Sequence, residues 1–164
     1  MPISEAMNSK LNEQIRNEFN AAHIYLSMAC MFESRSLRTL ATLFRNQVDE
    51  ERGHAMRILD YVLEAGGKVK ILSIPEPPPE WPTVVAAIEA ALAHERKVTG
   101  QINELVALAE KEKDYATRNF LNWYVNEQVE EEASMGHLLE VAKMAGEHLL
   151  QLEAYVGRLL TERK

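Results

Sequence analysis

The stretch Gly66-Gly67-Lys68-Val69-Lys70-Ile71-Leu72-Ser73-Ile74-Pro75-Glu76-Pro77-Pro78-Pro79-Glu80-Trp81-Pro82 decides how the chain is organised. It holds five of the six prolines, and proline supplies no N–H to a helix or a central strand. As an extended segment at about 3.1 Å per residue, it can run the length of a helical bundle. On each side lie two long segments that repeat apolar residues at three- and four-residue steps, the mark of one buried helix face. Residues 4–34 carry Leu11, Ile15, Glu18, Ala22, Tyr25, Ala29 and Phe32, with Ser4 as N-cap. Residues 37–65 carry Leu40, Phe44, Val48, Glu51, Ala55, Ile58 and Val62 and stop at Gly66-Gly67. Residues 83–111 carry Ile88, Leu92, Glu95, Thr99, Ile102, Leu105 and Ala109. Residues 115–145 carry Phe120, Tyr124, Gln128, Glu131, Met135, Leu138 and Ala142.

Short links near residues 34–37 and 111–115 make each pair an antiparallel hairpin. Hairpin, long crossover, hairpin is an all-α, antiparallel four-helix bundle with one crossover, expected to be a single domain over 1–164. A fifth segment, about 147–163, has Leu149, Leu152, Val156, Leu159 and Leu160 on one side. It is too short to complete the bundle. Its stripe packs either on its own subunit or in an oligomer contact.

Composition agrees with this organisation and excludes other classes. The 164 residues are 46% hydrophobic and 26% charged, and the net charge of −7 opposes electrostatic binding of nucleic acid or an anionic membrane. A single cysteine, Cys30, permits no disulfide framework and no four-thiolate metal site. With no secretory or membrane-spanning pattern, a soluble, cytoplasmic protein is expected.

Each apolar stripe is interrupted near its middle: by Glu18, by Glu51 with His54 one turn on, by Glu95, and by Gln128 with Glu131. These positions keep the core register, so the side chains should converge at one depth. Burying four carboxylates without counterions costs several kcal/mol apiece or forces protonation. No Lys or Arg occupies a neighbouring stripe position. Two divalent cations would balance the four charges. Oxygen-rich ligation with one imidazole suits iron or manganese, and zinc could take the same ligands without redox chemistry.

At these residues the chain resembles the non-haem bacterial ferritins. The likeness runs through Asn8-Ser9-Lys10-Leu11-Asn12-Glu13-Gln14, Gln47-Val48-Asp49-Glu50-Glu51-Arg52-Gly53-His54 and Asn122-Trp123-Tyr124-Val125-Asn126-Glu127-Gln128-Val129-Glu130-Glu131-Glu132. The resemblance implies that Glu18, Glu51 and His54 bind one iron. It implies that Glu51, Glu95 and Glu131 bind the second, with Glu51 bridging and Gln128 alongside. A third iron position would use Glu50, Glu127, Glu130 and Glu131. Tyr25 would donate a hydrogen bond to Glu95 or supply an electron, or be no more than a core tyrosine with a satisfied hydroxyl, and Trp123 would lie nearby. Arg52 stands where haem-binding relatives carry a methionine, so no haem is expected.

The function so implied is ferroxidase activity on Fe(II), with O2 or H2O2 as oxidant, and storage of ferric oxo-hydroxide in a homo-oligomeric shell of 24 subunits. Two other readings compete: a di-metal oxidase or peroxidase that stores no iron, and a bundle holding a structural ion. Outside the site, Cys30 is expected to be a buried, inert thiol. His23, His94, His137 and His148 are expected at the surface or an interface. Gly53, Gly100 and Gly136 lie inside helices, where close helix approach would account for them.

Overall fold

A computed structural model of the protein describes residues 3–162. Five helices form: α1 (Glu5–Ser34), α2 (Arg38–Glu64), α3 (Val84–Glu112), α4 (Tyr115–Ala145) and α5 (Leu149–Glu162). Arg163, the expected end of the fifth helix, lies outside the described residues. The helix starts follow from capping chemistry. The Ser4 hydroxyl accepts from Met7 N, Thr83 from Ala86 N, and Asp114 from Thr117 N. No described helix is long and apolar enough to cross a membrane.

The core consists of two apolar blocks. One joins Tyr25, Phe32, Leu40, Phe44, Ile88, Leu92, Leu138 and Ala142. The other joins Met7, Leu11, Ile15, Ile58, Val62, Ile102, Leu105 and Leu121. The first block therefore takes the C-terminal halves of α1 and α4 and the N-terminal halves of α2 and α3. This arrangement makes α2 and α3 parallel, which a short loop could not achieve. The crossover lies along α1 from end to end. Lys68 N donates to Asn8 Oδ1 (2.8 Å), Lys70 N to Asn12 Oδ1 (2.6 Å), and Arg35 Nη2 to Trp81 O (2.9 Å). Gly67 is needed where the crossover meets α1, because a Cβ there would fall 2.4 Å from Asn8 Oδ1 and 2.9 Å from Val62 Cγ1.

Three sequence expectations are corrected. Cys30 is exposed, on the side of α1 away from the core. His94 is half-buried and not at the open surface, with its ring edge-on to Tyr25. A Cβ at Gly53, Gly100 or Gly136 would meet nothing within 4 Å, so close helix approach does not explain these glycines.

The fifth helix packs on its own chain, burying Leu152 and Val156. It also does something its apolar stripe did not announce. Leu37, the N-cap residue of α2, makes no side-chain cap hydrogen bond, and Glu153 supplies one from α5. Its carboxylate accepts from Thr39 N (3.0 Å) and Leu40 N (2.9 Å), and the Thr39 hydroxyl donates to Glu153 O (2.9 Å). Glu153→Ala is therefore expected to cost about 1–2 kcal/mol, the upper range for losing an N-cap. It should also loosen α5. Thermal melting with limited proteolysis checks this: the variant should melt several degrees lower and be cut first between α4 and α5.

Candidate metal centre

Between the two apolar blocks lies a polar layer to which every bundle helix contributes. Glu18 comes from α1, Glu51 and His54 from α2, Glu95 from α3, and Gln128 and Glu131 from α4. All six are at most 5% exposed. The i,i+3 spacing of Glu51 and His54, and of Gln128 and Glu131, puts each pair on one helix face. His54 Nδ1 lies 3.3 Å from Glu51 Oε2 and 3.9 Å from Glu18 Oε2, and ligand atoms of these three residues all fall within 4.8 Å of one another. On its other side, His54 Nε2 is 3.9 Å from Glu127 Oε1, and His54, Glu127 and Glu131 form a second such group. The imidazole thus stands between two carboxylate clusters.

Glu95 faces the same layer with both oxygens engaged. Tyr25 OH donates to Oε1, and Gln128 Nε2 donates to Oε2 at 3.1 Å and to the Glu95 carbonyl at 3.2 Å. Glu50 and Glu130 sit outside the buried layer. With Gln47, Glu127, Glu131 and Ser134 they line a cleft of about 330 Å³ between α2 and α4. These two helices nowhere bring described Cα atoms within 8 Å of each other. Trp123 meets the His54 ring edge-on at 5.3 Å and carries the Arg57 guanidinium 4.4 Å above its own centroid. Tyr124 OH donates to His54 O at 2.8 Å, which fixes that turn of α2.

The electrostatics show what this layer lacks. Burial, then repulsion by Glu51, raises the Glu18 carboxyl well above its usual range. Burial and the Glu95 charge do the same to Glu51. Burial also raises Glu95, although the hydrogen bonds from Tyr25 and Gln128 oppose it. Glu131 is pushed up to about 9 by burial, then by Glu95 and Glu50. Glu18 Oε2 is buried without any hydrogen-bond partner. No Lys or Arg forms an ion pair with these four glutamates among the described residues. The layer therefore gathers buried carboxyls that no cationic side chain neutralises. An oxygen-rich, acidic donor set with one imidazole and an orphaned carboxylate oxygen fits a pair of hard or borderline divalent metals.

The structure brings together the predicted residues Glu18, Tyr25, Glu51, His54, Glu95, Gln128 and Glu131, and sets Glu50, Glu127 and Glu130 at the mouth. Sequence reasoning missed Gln14 and Gln47, both buried against the cluster. Each lies four residues before a site glutamate on the same helix. That spacing was the available signal.

Comparison with known proteins agrees with the geometry. The family described as Ferritin-like domain matches residues 8–145. The bacterial non-heme ferritin of Staphylococcus saprophyticus is 37% identical over 157 residues, covering 96% of this chain and 94% of that protein. That of Bacteroides fragilis is 39% identical over 145 residues, covering 88% and 91%. The crystal structure of an open pore ferritin from the archaeon Archaeoglobus fulgidus superposes with a TM-score of 0.92 at 47% identity, over 94% of this chain and 96% of that one. Likeness across nearly the whole chain, joined to a buried Glu/His cluster at the centre of the bundle, places this protein in the ferritin family of iron-storage proteins.

Proposed function

We propose that the protein oxidises Fe(II) at a di-iron centre inside each subunit and deposits ferric oxo-hydroxide in a 24-subunit shell in the cytoplasm. The supporting observation is the buried layer of Glu18, Glu51, Glu95 and Glu131 around His54, which no Lys or Arg neutralises among the described residues. Iron is here the substrate. Glu18, Glu51 and His54 receive one Fe(II). Glu51, Glu95 and Glu131 receive the other, with Glu51 shared and Gln128 holding Glu95 in place. Glu50, Glu127 and Glu130 form a third, outer position with Glu131. The whole chain, 1–164, works as one unit.

Each Fe(II) gives up one electron. Dioxygen takes the pair with two protons to become H2O2, or H2O2 takes the pair with two protons to become two waters. Fe(III) is the stronger acid, so it hydrolyses its bound water and leaves as oxo-hydroxide. The residues supply charge balance, and Tyr25 fixes the Glu95 carboxylate through its hydroxyl. The acidic cleft between α2 and α4 gives cations a path to and from the layer.

Sedimentation before and after aerobic Fe(II) loading, with iron assayed on each species, tests this reading. A particle of 24 chains of 18.6 kDa that grows denser and keeps many tens of irons per chain soluble is expected. A small oligomer that turns over oxidant but stops at two or three irons would leave a di-metal oxidase and remove the storage function.

A further inference from the structure

Two glutamates of the centre are held in opposite ways. Both oxygens of Glu95 accept hydrogen bonds, from Tyr25 and from Gln128. Glu18 has one oxygen held and one left bare. Gln14 Nε2 donates to Glu18 Oε1 at 2.7 Å, both residues being at most 2% exposed, while Glu18 Oε2 has no partner and faces His54 Nδ1 at 3.9 Å.

The Gln14 amide is itself oriented. Asn17 Nδ2 donates to Gln14 Oε1 at 3.2 Å, so the Gln14 nitrogen is turned toward the carboxylate. Asn17 Oδ1 in turn accepts from the exposed Arg16 Nη2 at 3.2 Å. Four side chains of one helix thus relay a donor direction from the surface guanidinium to a single carboxylate oxygen. The i,i+3 and i,i+4 steps of α1 place Gln14, Asn17 and Glu18 side by side for this purpose.

On this basis we propose that Gln14 is a positioning residue that restricts Glu18 to binding metal through one oxygen, and so sets the coordination number on the His54 side of the centre. The inference rests on the proposed di-metal reading of the site. Oε1 is held by the Gln14 hydrogen bond, so rotating the carboxylate to bring it in as a second donor strains or breaks that bond. The bare Oε2 is the one aimed at the imidazole. Outer partners of this kind orient ligands, and losing one typically costs 10–100-fold in metal affinity or activity.

Anaerobic titration with Co(II), followed by its visible d–d absorption, tests the proposal on the intact assembly. The probe is the metal alone. Gln14→Met removes the donor while keeping the chain's length and apolar contacts. It should still bind two Co(II) per chain, but with weaker, shifted bands, because a freed Glu18 chelates and raises the coordination number. Its initial iron oxidation should slow by about tenfold. Asn17→Ala, which lets the amide turn, should change the bands in the same direction by less. Wild-type bands in a Gln14→Met protein that binds two Co(II) would overturn the role of Gln14. A wild-type protein that binds no Co(II) pair would instead overturn the di-metal reading, so the two failures are distinct.

Discussion

Glu51→Gln should abolish the rapid phase of Fe(II) oxidation and, in the same molecule, make the metal-free protein more stable. Glu51 sits between Glu18 and His54 on one side and Glu95 and Glu131 on the other, and is the carboxylate proposed to be shared by both irons. An amide cannot carry the negative charge that a bridging ligand needs. The initial rate should therefore fall by more than about 100-fold, beyond the range for losing an outer partner. Stopped-flow absorbance of the ferric product reads this directly.

The stability effect has the opposite sign. Burial and the neighbouring Glu95 charge push the Glu51 carboxyl well up, so folding at pH 7 either protonates it or holds a charge out of water. Glutamine avoids both at the same volume. Calorimetry of the metal-free variant should show a melting temperature several degrees higher, on a scale of about 2–4 °C per kcal/mol for a chain of this length. A lower melting temperature, with oxidation retained, would show that Glu51 is a structural carboxylate.

The second large effect is the pH dependence of stability and its reversal by metal. A carboxyl whose folded-state pKa is raised binds its proton more tightly when folded. Its favourable contribution is complete below the unfolded value and declines as pH rises toward the folded one. For Glu131 that window runs from the ordinary value of 4.5 to about 9, and Glu18, Glu51 and Glu95 shift in the same direction. The contribution of this layer to the metal-free protein should therefore decline between pH 5 and 9.

A redox-inert divalent cation such as Zn(II) reverses the trend, because binding displaces those protons. At one hundred times the dissociation constant it adds about 2.7 kcal/mol. Melting curves with and without Zn(II) at pH 5, 7 and 9 should diverge as pH rises. Titration calorimetry in buffers of different ionisation enthalpy should count protons released on binding. Metal-free protein that is most stable at pH 9, with no proton release, would contradict the electrostatics of the site.

The sequence made the bundle readable because a helix turns a period of three and four into a face, and a face must be buried. The same rule made the site readable. Glu18, Glu51, Glu95 and Glu131 occupy core positions where a carboxylate is costly, so their presence called for a partner. The features that escaped depend on contacts across long sequence separations or on finer distinctions among polar residues. Glu153 caps α2 from 114 residues away, and nothing in its own neighbourhood marks it. Gln14 and Gln47 were overlooked because a neutral amide at a helix edge carries no charge deficit to betray it. Cys30 was read as buried from its apolar neighbours Met28, Ala29 and Met31, whereas the helix turns it outward from between them.

The division of the core into two dry blocks has a dynamic consequence. Helical bundles ordinarily fray at their ends and are tightest at mid-length, where apolar side chains interlock. Here mid-length is where apolar contact is interrupted, between the Phe44 block and the Leu11 block. In the metal-free protein, opening the helices at that waist would expose little apolar surface and relieve crowded carboxyls, so amide exchange is expected to be faster there than in either dry block. A cation bound to the layer would tie the four helices at that level, so on the proposed reading the ion that passes through would also brace the waist between the two blocks.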